Sequence, residues 1–162
     1  MDGYKVPKDQ AKVILKAPPA APVERYTFLS EFAEHHQGGE TVSDLLARPK
    51  RFLPFRSEDG GAALIRKQAI AWLMIMEPER VEWYFYESRL GVPAEAVRVV
   101  FADGEELRGR IYAVAPEGRR RVQDLMNDAE GFLHLETAEG LFLVNLDHVL
   151  SVHSEGDDHG RA

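Results

Sequence analysis

An internal repeat constrains the fold of this chain more than any other feature. The segment Val-Ser-Asp-Leu-Leu, which starts at Val42, matches Val-Gln-Asp-Leu-Met, which starts at Val122, 80 positions later. The other matched pairs are Gly38 and Gly118, Asp44 and Asp124, Phe52 and Phe132, Leu53 and Leu133, Gly60 and Gly140, Leu64 and Leu143, Ile65 and Val144, and Ile70 and Val149. One extra residue near Gly61 shifts the later matches to 79 positions. A repeat of this length indicates two copies of one small fold, each of roughly 75–80 residues.

The second half has the pattern of short strands separated by turns. Residues 97–101 are β-branched and apolar, and Asp103-Gly104 is a hairpin signal between apolar runs. Residues 106–114 then alternate with period two, which is typical of a half-buried strand. Pro116-Glu117-Gly118 ends this strand, and residues 121–127 could form a helical turn with Val122, Leu125 and Met126 inward. Three further strands are predicted at 131–137, 141–145 and 147–153.

The first half follows the same plan. Strands are predicted at 12–16, 51–55, 62–66 and 69–76, with a proline-rich connection after the first. Residues 24–36 could form an amphipathic helix, but the alternating strand in the second half favours a strand there. Five short strands with closely spaced turns are the signature of a small barrel or sandwich.

These patterns predict a mainly β protein with two tandem five-stranded barrel modules. The segment at 77–96 belongs to neither copy, and its Trp-Tyr-Phe-Tyr-Glu stretch could extend a strand or form an aromatic seam between the modules. Gly91-Val92-Pro93 reads as the linker. The predicted divisions are a loose N-terminus (1–11), a first module (12–76), a linker or seam (77–96), a second module (97–153) and a disordered tail (154–162).

Composition narrows the class of protein. The 162 residues include no cysteine, which excludes disulfides, thiol catalysis and cysteine-ligated metals. No apolar run approaches the roughly 18 residues of a membrane span, and the first ten residues have no apolar core typical of a secretion signal. We therefore expect a cytoplasmic protein without a membrane partner.

The charge is acidic and uneven. Residues 1–76 carry 11 Lys and Arg against 9 Asp and Glu, whereas residues 77–162 carry 9 against 18, giving the net charge of −7. This balance disfavours nonspecific nucleic-acid binding, which needs clustered cations. The asymmetry could let one module face the other, or a neighbouring chain, with opposite sign.

No catalytic, metal or cofactor constellation is legible. The histidines are scattered: His35 and His36 are adjacent, His134 is isolated, and His148 and His153 fall on opposite sides of one strand. They read as surface residues, because a metal site needs convergent ligands. The recurring Asp44 and Asp124 read as turn or helix caps. We therefore expect no enzyme activity and no cofactor.

Basic and aromatic residues are the candidate partner-binding groups. Arg119, Arg120 and Arg121 form a patch with Arg108 and Arg110, and a second patch combines Lys50, Arg51, Arg56, Arg66 and Lys67. Either patch could hold phosphate or an acidic partner, or simply discourage aggregation of a strand edge. Among Trp72, Trp83, Tyr84, Phe85 and Tyr86, about half should be core. The remainder, notably Trp83 and Phe85, would form an apolar patch for a partner.

The stretch from Val100 to Val114 resembles the opening of an Sm-like domain. Members of that family begin with a strand, an Asp-Gly type of turn and a bent second strand that contains a glycine, here Gly109. The resemblance implies a five-stranded small barrel. Asp124 and Asn127 are similar to the family's Asp and Asn that hold RNA bases. The family's later Arg-Gly signature is replaced here by Asn145-Leu146-Asp147.

The Asp-Leu-(Leu/Met), Phe-Leu and Leu-(Ile/Val) pattern is also similar to uncharacterised bacterial domains, for which Leu53-Pro54-Phe55 and Asn127 are matching features. No activity is implied by that likeness. From all these observations we expect two Sm-like or SH3-like modules in a non-catalytic assembly or regulatory protein that binds a protein partner. The protein could also form a homo-oligomer. The alternative is an RNA- or nucleotide-binding module.

Overall fold

The computed structural model describes residues 9–112 and 121–155, which form ten strands and four α-helices. The strands are β1 (Gln10–Lys16), β2 (Val23–Phe28), β3 (Phe52–Arg56), β4 (Ala62–Arg66), β5 (Trp72–Ile75), β6 (Ala94–Phe101), β7 (Glu106–Tyr112), β8 (Phe132–Thr137), β9 (Gly140–Asn145) and β10 (Val149–Ser154). The helices are α1 (Val42–Ala47), α2 (Pro78–Val81), α3 (Trp83–Ser88) and α4 (Arg121–Asp128). Short 3-10 helices at Lys67–Ala69 and Leu146–His148 precede β5 and β10.

All ten strands belong to one antiparallel sheet. The strand order is β10-β6-β7-β8-β9-β5-β1-β2-β3-β4, so β9 of the second half pairs directly with β5 of the first. Among the described strands, β10 and β4 are the two free edges and do not pair with each other. The prediction of a mainly β protein is therefore confirmed. The expectation of two separate closed barrels is not, because the pairing of β9 with β5 continues one open sheet through both halves.

Two apolar clusters form the core. The first is built mainly from the first half around Val13, Leu45 and Leu73, and the second mainly from the second half around Val99 and Phe101. β5 and β9, which join the two halves and which we call the junction strands, contribute side chains to both clusters. They can do so because alternate residues of a strand point to opposite faces. Leu141 and Leu143 of β9 lie in the first cluster, and Trp72 of β5 lies in the second.

Several local predictions are confirmed. Asp103-Gly104 connects β6 to β7, with Gly104 at a φ of 95°. Thr41 and Asp44 form a reciprocal capping box at the start of α1, as the prediction of a cap at Asp44 required. The predicted helical turn after Arg121 is α4, whose Val122, Leu125 and Met126 pack against the second cluster.

Other boundaries differ from the predictions. Residues 24–36 form a strand only up to Phe28, and residues 29–41 adopt neither helix nor strand. The 77–96 segment forms α2 and α3 and the start of β6, and extends no strand of the first half. The N-terminal segment that was expected to be loose includes the start of β1, where Ala11 is buried. Ser154, which was expected to lie in a disordered tail, belongs to β10. The strand end at 113–114 and the Pro116 turn lie outside the described residues.

Matched residues of the two sequence repeats differ in their exposure to solvent near the end of the sheet. Val42, Leu45, Leu53 and Ile70 are buried as the repeat predicts. Phe52 and Leu64 are exposed, although Leu143, the partner of Leu64 in the repeat, is buried. The difference arises because β9 lies within the sheet, whereas β4 is an edge strand.

Candidate functional site

The edge formed by β3 and β4 carries an exposed apolar surface. Strand pairing places Phe52 opposite Arg66 and Pro54 opposite Leu64, so all four residues share one face. Each of the four is exposed, and Leu64 retains 68% of its accessible surface. We call this face, Phe52, Pro54, Leu64 and Arg66, the β4-edge surface. It combines apolar side chains with unpaired backbone groups, the combination that captures an extended strand.

The opposite edge is β10, which pairs with β6 and with no other described strand. Leu150 is 71% exposed there, and none of the six strand residues, Val149 to Ser154, is an Asp, Glu, Lys or Arg. Natural edge strands are usually protected by charge, proline or a bulge. A bulge lies between Val149 and Ser151, before the last four residues of the strand. Those four residues keep a regular register with Val97 to Val100 of β6.

A buried carboxylate joins the two halves beneath α3. Glu82 is 1% exposed, and its Oε2 lies 2.6 Å from Nε2 of His134 on β8. Its Oε1 accepts a hydrogen bond of 3.1 Å from the backbone N–H of Ser43 in α1. Phe85 stacks on the His134 ring at 4.4 Å between centroids. These contacts fix the 77–90 segment between α1 of the first half and β8 of the second.

A second histidine–carboxylate pair lies beside the first. Nε2 of His36 is 2.7 Å from Oδ2 of Asp44, and Nδ1 is 3.0 Å from the carbonyl oxygen of Gln37. The ring stacks on Tyr84 at 4.2 Å and meets Trp83 edge-on. Hydrogen bonding to Gln37 and to Asp44 raises the pKa of His36, because two acceptors favour the imidazolium with both N–H groups.

The chemistry open to these pairs is limited by their partners. Both nitrogens of His36 face acceptors, so neither is placed to take a proton from a substrate. Both oxygens of Glu82 are also engaged within the protein. The arrangement therefore holds elements together. The interpretation of His36 and His134 as ordinary surface histidines is wrong, since His36 has a side chain only 8% exposed and His134 contacts a buried carboxylate.

The predicted arginine patch is partly neutralised. Arg108 lies 3.4 Å from Glu155, and Arg110 lies 3.5 Å from Glu136, which also pairs with Arg89. The side chains of Arg108 and Arg110 remain exposed around a cavity of 410 Å³ that Glu136 and Glu155 also line. Arg119 and Arg120 lie outside the described residues, as does the side chain of Arg121. The described part of this surface thus carries both signs of charge.

In the second basic patch, Lys67 points inward. Its Nζ donates to the carbonyl oxygens of Leu46 and Arg48 at 2.9 and 2.6 Å, where α1 ends. Burial lowers the pKa of Lys67. Arg56 lies over the Phe28 ring at 5.3 Å. Lys50 and Arg51 remain exposed, as does Arg66, which belongs to the β4-edge surface.

The aromatic residues divide between core and surface. Trp72 and Phe85 are buried. The prediction that Phe85 forms part of a partner-binding surface is therefore wrong. Trp83 is half-buried, and its indole N–H donates to the carbonyl oxygen of Gly39 at 3.3 Å. Tyr84 is exposed but stacked on His36. These contacts favour a packing role for α3.

Within residues 9–112 and 121–155, no group of three or more His, Asp and Glu side chains is arranged to hold a metal ion. Across the same ranges, no helix has the length and apolar character needed to cross a membrane. No family model matches the chain, and neither a curated protein nor a solved structure matches it significantly.

Sequence reasoning missed the β4-edge surface and Glu82. Leu64 and Phe52 read as core because their repeat partners are apolar, and only the strand order shows that β4 is an edge. A signal for the junction is present in the sequence. Leu141 to Val144 are four consecutive apolar residues, a pattern typical of a strand buried on both faces. Its counterpart, Ala62 to Ile65, is also continuously apolar, yet Ala62, Ala63 and Leu64 are exposed and only Ile65 is half-buried.

Proposed function

We propose that this protein is a non-catalytic assembly module that binds a protein partner through its exposed strand edges. The observation that carries the proposal is the β4-edge surface, where Leu64 and Phe52 are exposed next to the free outer edge of β4. An added strand would satisfy the backbone groups of β4 and cover these side chains. The cytoplasm is the compartment that we propose for this activity.

We also propose that the two halves are duplicated modules of one Sm-like or SH3-like fold. Each half has two strands, a helix, two strands, a 3-10 helix and a final strand, in that order. Each half also has the same spatial order, with its fifth strand beside its first and its fourth at the far side. The repeated pattern from Val42 and from Val122 supports the same interpretation.

An RNA ligand is the alternative function. The net charge of −7 and the carboxylates beside Arg108 and Arg110 weigh against it, because polyanion binding needs unopposed cations. We expect single-stranded RNA to bind weakly and to dissociate as salt rises. Replacement of Arg119, Arg120 and Arg121 by Ala should remove residual RNA binding and leave the fold intact.

Affinity capture with matched baits tests the protein-partner proposal. The baits are the wild-type chain, Leu64→Lys on the β4-edge surface, and Leu90→Lys as a control at a residue that is also highly exposed but lies between α3 and β6. Extracts are treated with nuclease before capture. We expect a protein retained by wild type and Leu90→Lys but lost with Leu64→Lys. Submicromolar, sequence-dependent binding of fluorescent RNA at physiological salt would contradict the proposal and favour the alternative.

A further inference from the structure

One side chain provides the main contact between the middle of the 29–41 segment and the rest of the molecule. Residues 31–38, which we call the tip, form neither helix nor strand, and six of these eight residues are exposed. The side chain of His36, by contrast, is only 8% exposed. Its ring stacks on Tyr84 at 4.2 Å between centroids and meets Trp83 edge-on at 5.4 Å. His36 therefore anchors the tip to α3.

The base of the segment is fastened separately from the tip. The backbone N–H of Leu29 donates to the carbonyl oxygen of Asp9 at 2.7 Å. The backbone N–H of Glu40 donates to the carbonyl oxygen of Ser30 at 3.0 Å. None of these four residues belongs to the tip. The tip can therefore leave α3 while both ends of the segment stay in place.

The two ring nitrogens of His36 face atoms that act only as hydrogen-bond acceptors. Nδ1 lies 3.0 Å from the carbonyl oxygen of Gln37, and Nε2 lies 2.7 Å from Oδ2 of Asp44. The same Oδ2 accepts hydrogen bonds of 2.9 Å from the backbone N–H and the hydroxyl of Thr41, as an ionised carboxylate does. A neutral imidazole has one N–H, so its other nitrogen would direct a lone pair at an oxygen. Only the imidazolium satisfies both contacts.

The charged groups around the ring belong to two neighbouring elements. Asp44 on α1 forms the hydrogen bond and attracts the imidazolium, and Glu82, between α2 and α3, adds a weaker attraction. His134 lies behind Glu82, at 2.6 Å from its Oε2, and offsets that charge when it is protonated. The strongest opposite charge at the ring of His36 is therefore the carboxylate of Asp44.

We propose that His36 is a pH-sensitive latch, which holds the tip against α3 while its ring is protonated and releases the tip when the ring is neutral. The hydrogen bonds to Gln37 and Asp44 raise the pKa of His36 above the usual value of about 6.5. The stabilisation is thus fully present below that value and is lost as the pH rises through the folded-state pKa. This inference does not rest on the proposed function.

Release of the tip would open the surface on both sides of it. A cavity of about 770 Å³ is lined by Glu31 and Trp83, among other residues, and a cavity of about 510 Å³ is lined by Phe32. Ser30 and Glu40 line both cavities, so the segment forms the wall between them. Displacement of the tip removes part of each wall and exposes the aromatic side of α3.

Amide hydrogen exchange at different pH values tests the latch. The N–H of Ala33 donates to the carbonyl oxygen of Gly38 at 2.9 Å across the tip. After correction for the intrinsic exchange rate, its protection should fall at least about tenfold between about pH 6 and about pH 8.5. His36→Gln should abolish this pH dependence, because glutamine does not titrate. His35→Gln should retain it, because the His35 side chain is 79% exposed.

Trp83 gives an independent readout. The chain has two tryptophans, so Trp72→Phe leaves Trp83 as the only one. Quenching of its fluorescence by acrylamide should increase over the same pH range, because the tip no longer covers the indole. The added substitution His36→Gln should remove this change.

Asp44→Asn distinguishes a latch from a purely structural contact. Asparagine can still accept the hydrogen bond of the Thr41 N–H but has no charge. The pKa of His36, measured by NMR, and the midpoint of the exchange transition should therefore both move to lower pH. Glu34→Gln is the control, because it removes an exposed carboxylate that lies beside His35. It should leave both values unchanged.

Circular dichroism first establishes that each variant is folded, and the wild-type titration decides the matter if one is not. Equal protection of Ala33 at both ends of the pH range in the wild type would overturn the inference. A transition that persists in His36→Gln would also overturn it. The same holds for a midpoint that does not follow the pKa of His36 in Asp44→Asn.

Discussion

At the scale of single residues, Gly38 determines how closely the 29–41 segment approaches α3. Its φ is +98°, and a Cβ atom added there would lie 2.6 Å from Cζ2 of Trp83. Gly39 next to it accepts the indole N–H of Trp83. The absence of a side chain at Gly38 therefore allows Trp83 and His36 to meet, at 5.4 Å between ring centroids.

We predict that Gly38→Ala destabilises the protein by about 2–4 kcal/mol, from backbone strain and overpacking against Trp83. Gly60→Ala is the matched control, because Gly60 has a similar φ of +95° but no atom near its added Cβ. It should cost only about 1–2 kcal/mol. Urea unfolding measures both free energies. Equal losses would mean that Trp83 yields without cost.

Residue roles were predictable where the partners are close in sequence. The capping role of Asp44 follows from Thr41 three residues earlier. The pairing of His36 with Asp44 crosses an irregular segment, and that of Glu82 with His134 crosses 52 positions. Neither pair leaves a periodic signal, because only the folded chain brings the residues together.

At the scale of elements, strands at matched positions of the sequence repeat have different surroundings in the two halves. β8 and β9 lie inside the sheet, whereas β3 and β4 end it. Phe132 packs against the first cluster, and Phe52 faces solvent in the single chain. Identical side chains at matched positions should therefore contribute differently to the stability of an isolated molecule.

We predict that Phe132→Ala lowers the free energy of unfolding by about 2–4 kcal/mol, somewhat less than full burial would cost. Phe52→Ala should change it by less than about 1 kcal/mol. Urea unfolding measures the free energy of unfolding of both variants. Comparable losses at both positions would show that Phe52 is covered within one chain.

Element type was predictable from alternation but not from aromatic content. The Trp-Tyr-Phe-Tyr sequence has strong strand propensity, yet it forms α3. Helical spacing lets Phe85 reach His134 and Tyr112 while Trp83 reaches Gly39. Tertiary packing thus overrides local preference, and no pattern within this short segment indicates that outcome.

At the scale of the whole molecule, the junction couples the two clusters. β5 contributes Leu73 and Ile75 to the first cluster and Trp72 to the second, while β9 contributes Leu143 to the first and Phe142 to the second. The repeat predicted two similar halves, but it could not indicate that the strands of both halves belong to one sheet. That pairing depends on which edges meet, and alternation alone does not encode the choice.

We predict that the chain unfolds in one cooperative transition, because loss of either junction strand exposes both clusters. Trp83→Phe leaves Trp72 to report on the second cluster, and Trp72→Phe leaves Trp83 beside the first half. In each variant, the urea transition measured by fluorescence should coincide with that measured by far-UV circular dichroism. Adding Leu143→Ala should lower the midpoint of both probes together, at a cost of about 2–5 kcal/mol. A different result would contradict this prediction: two separate transitions, with Leu143→Ala changing only the transition that Trp83 reports. That result would mean that the halves fold independently and that the shared sheet couples them only weakly.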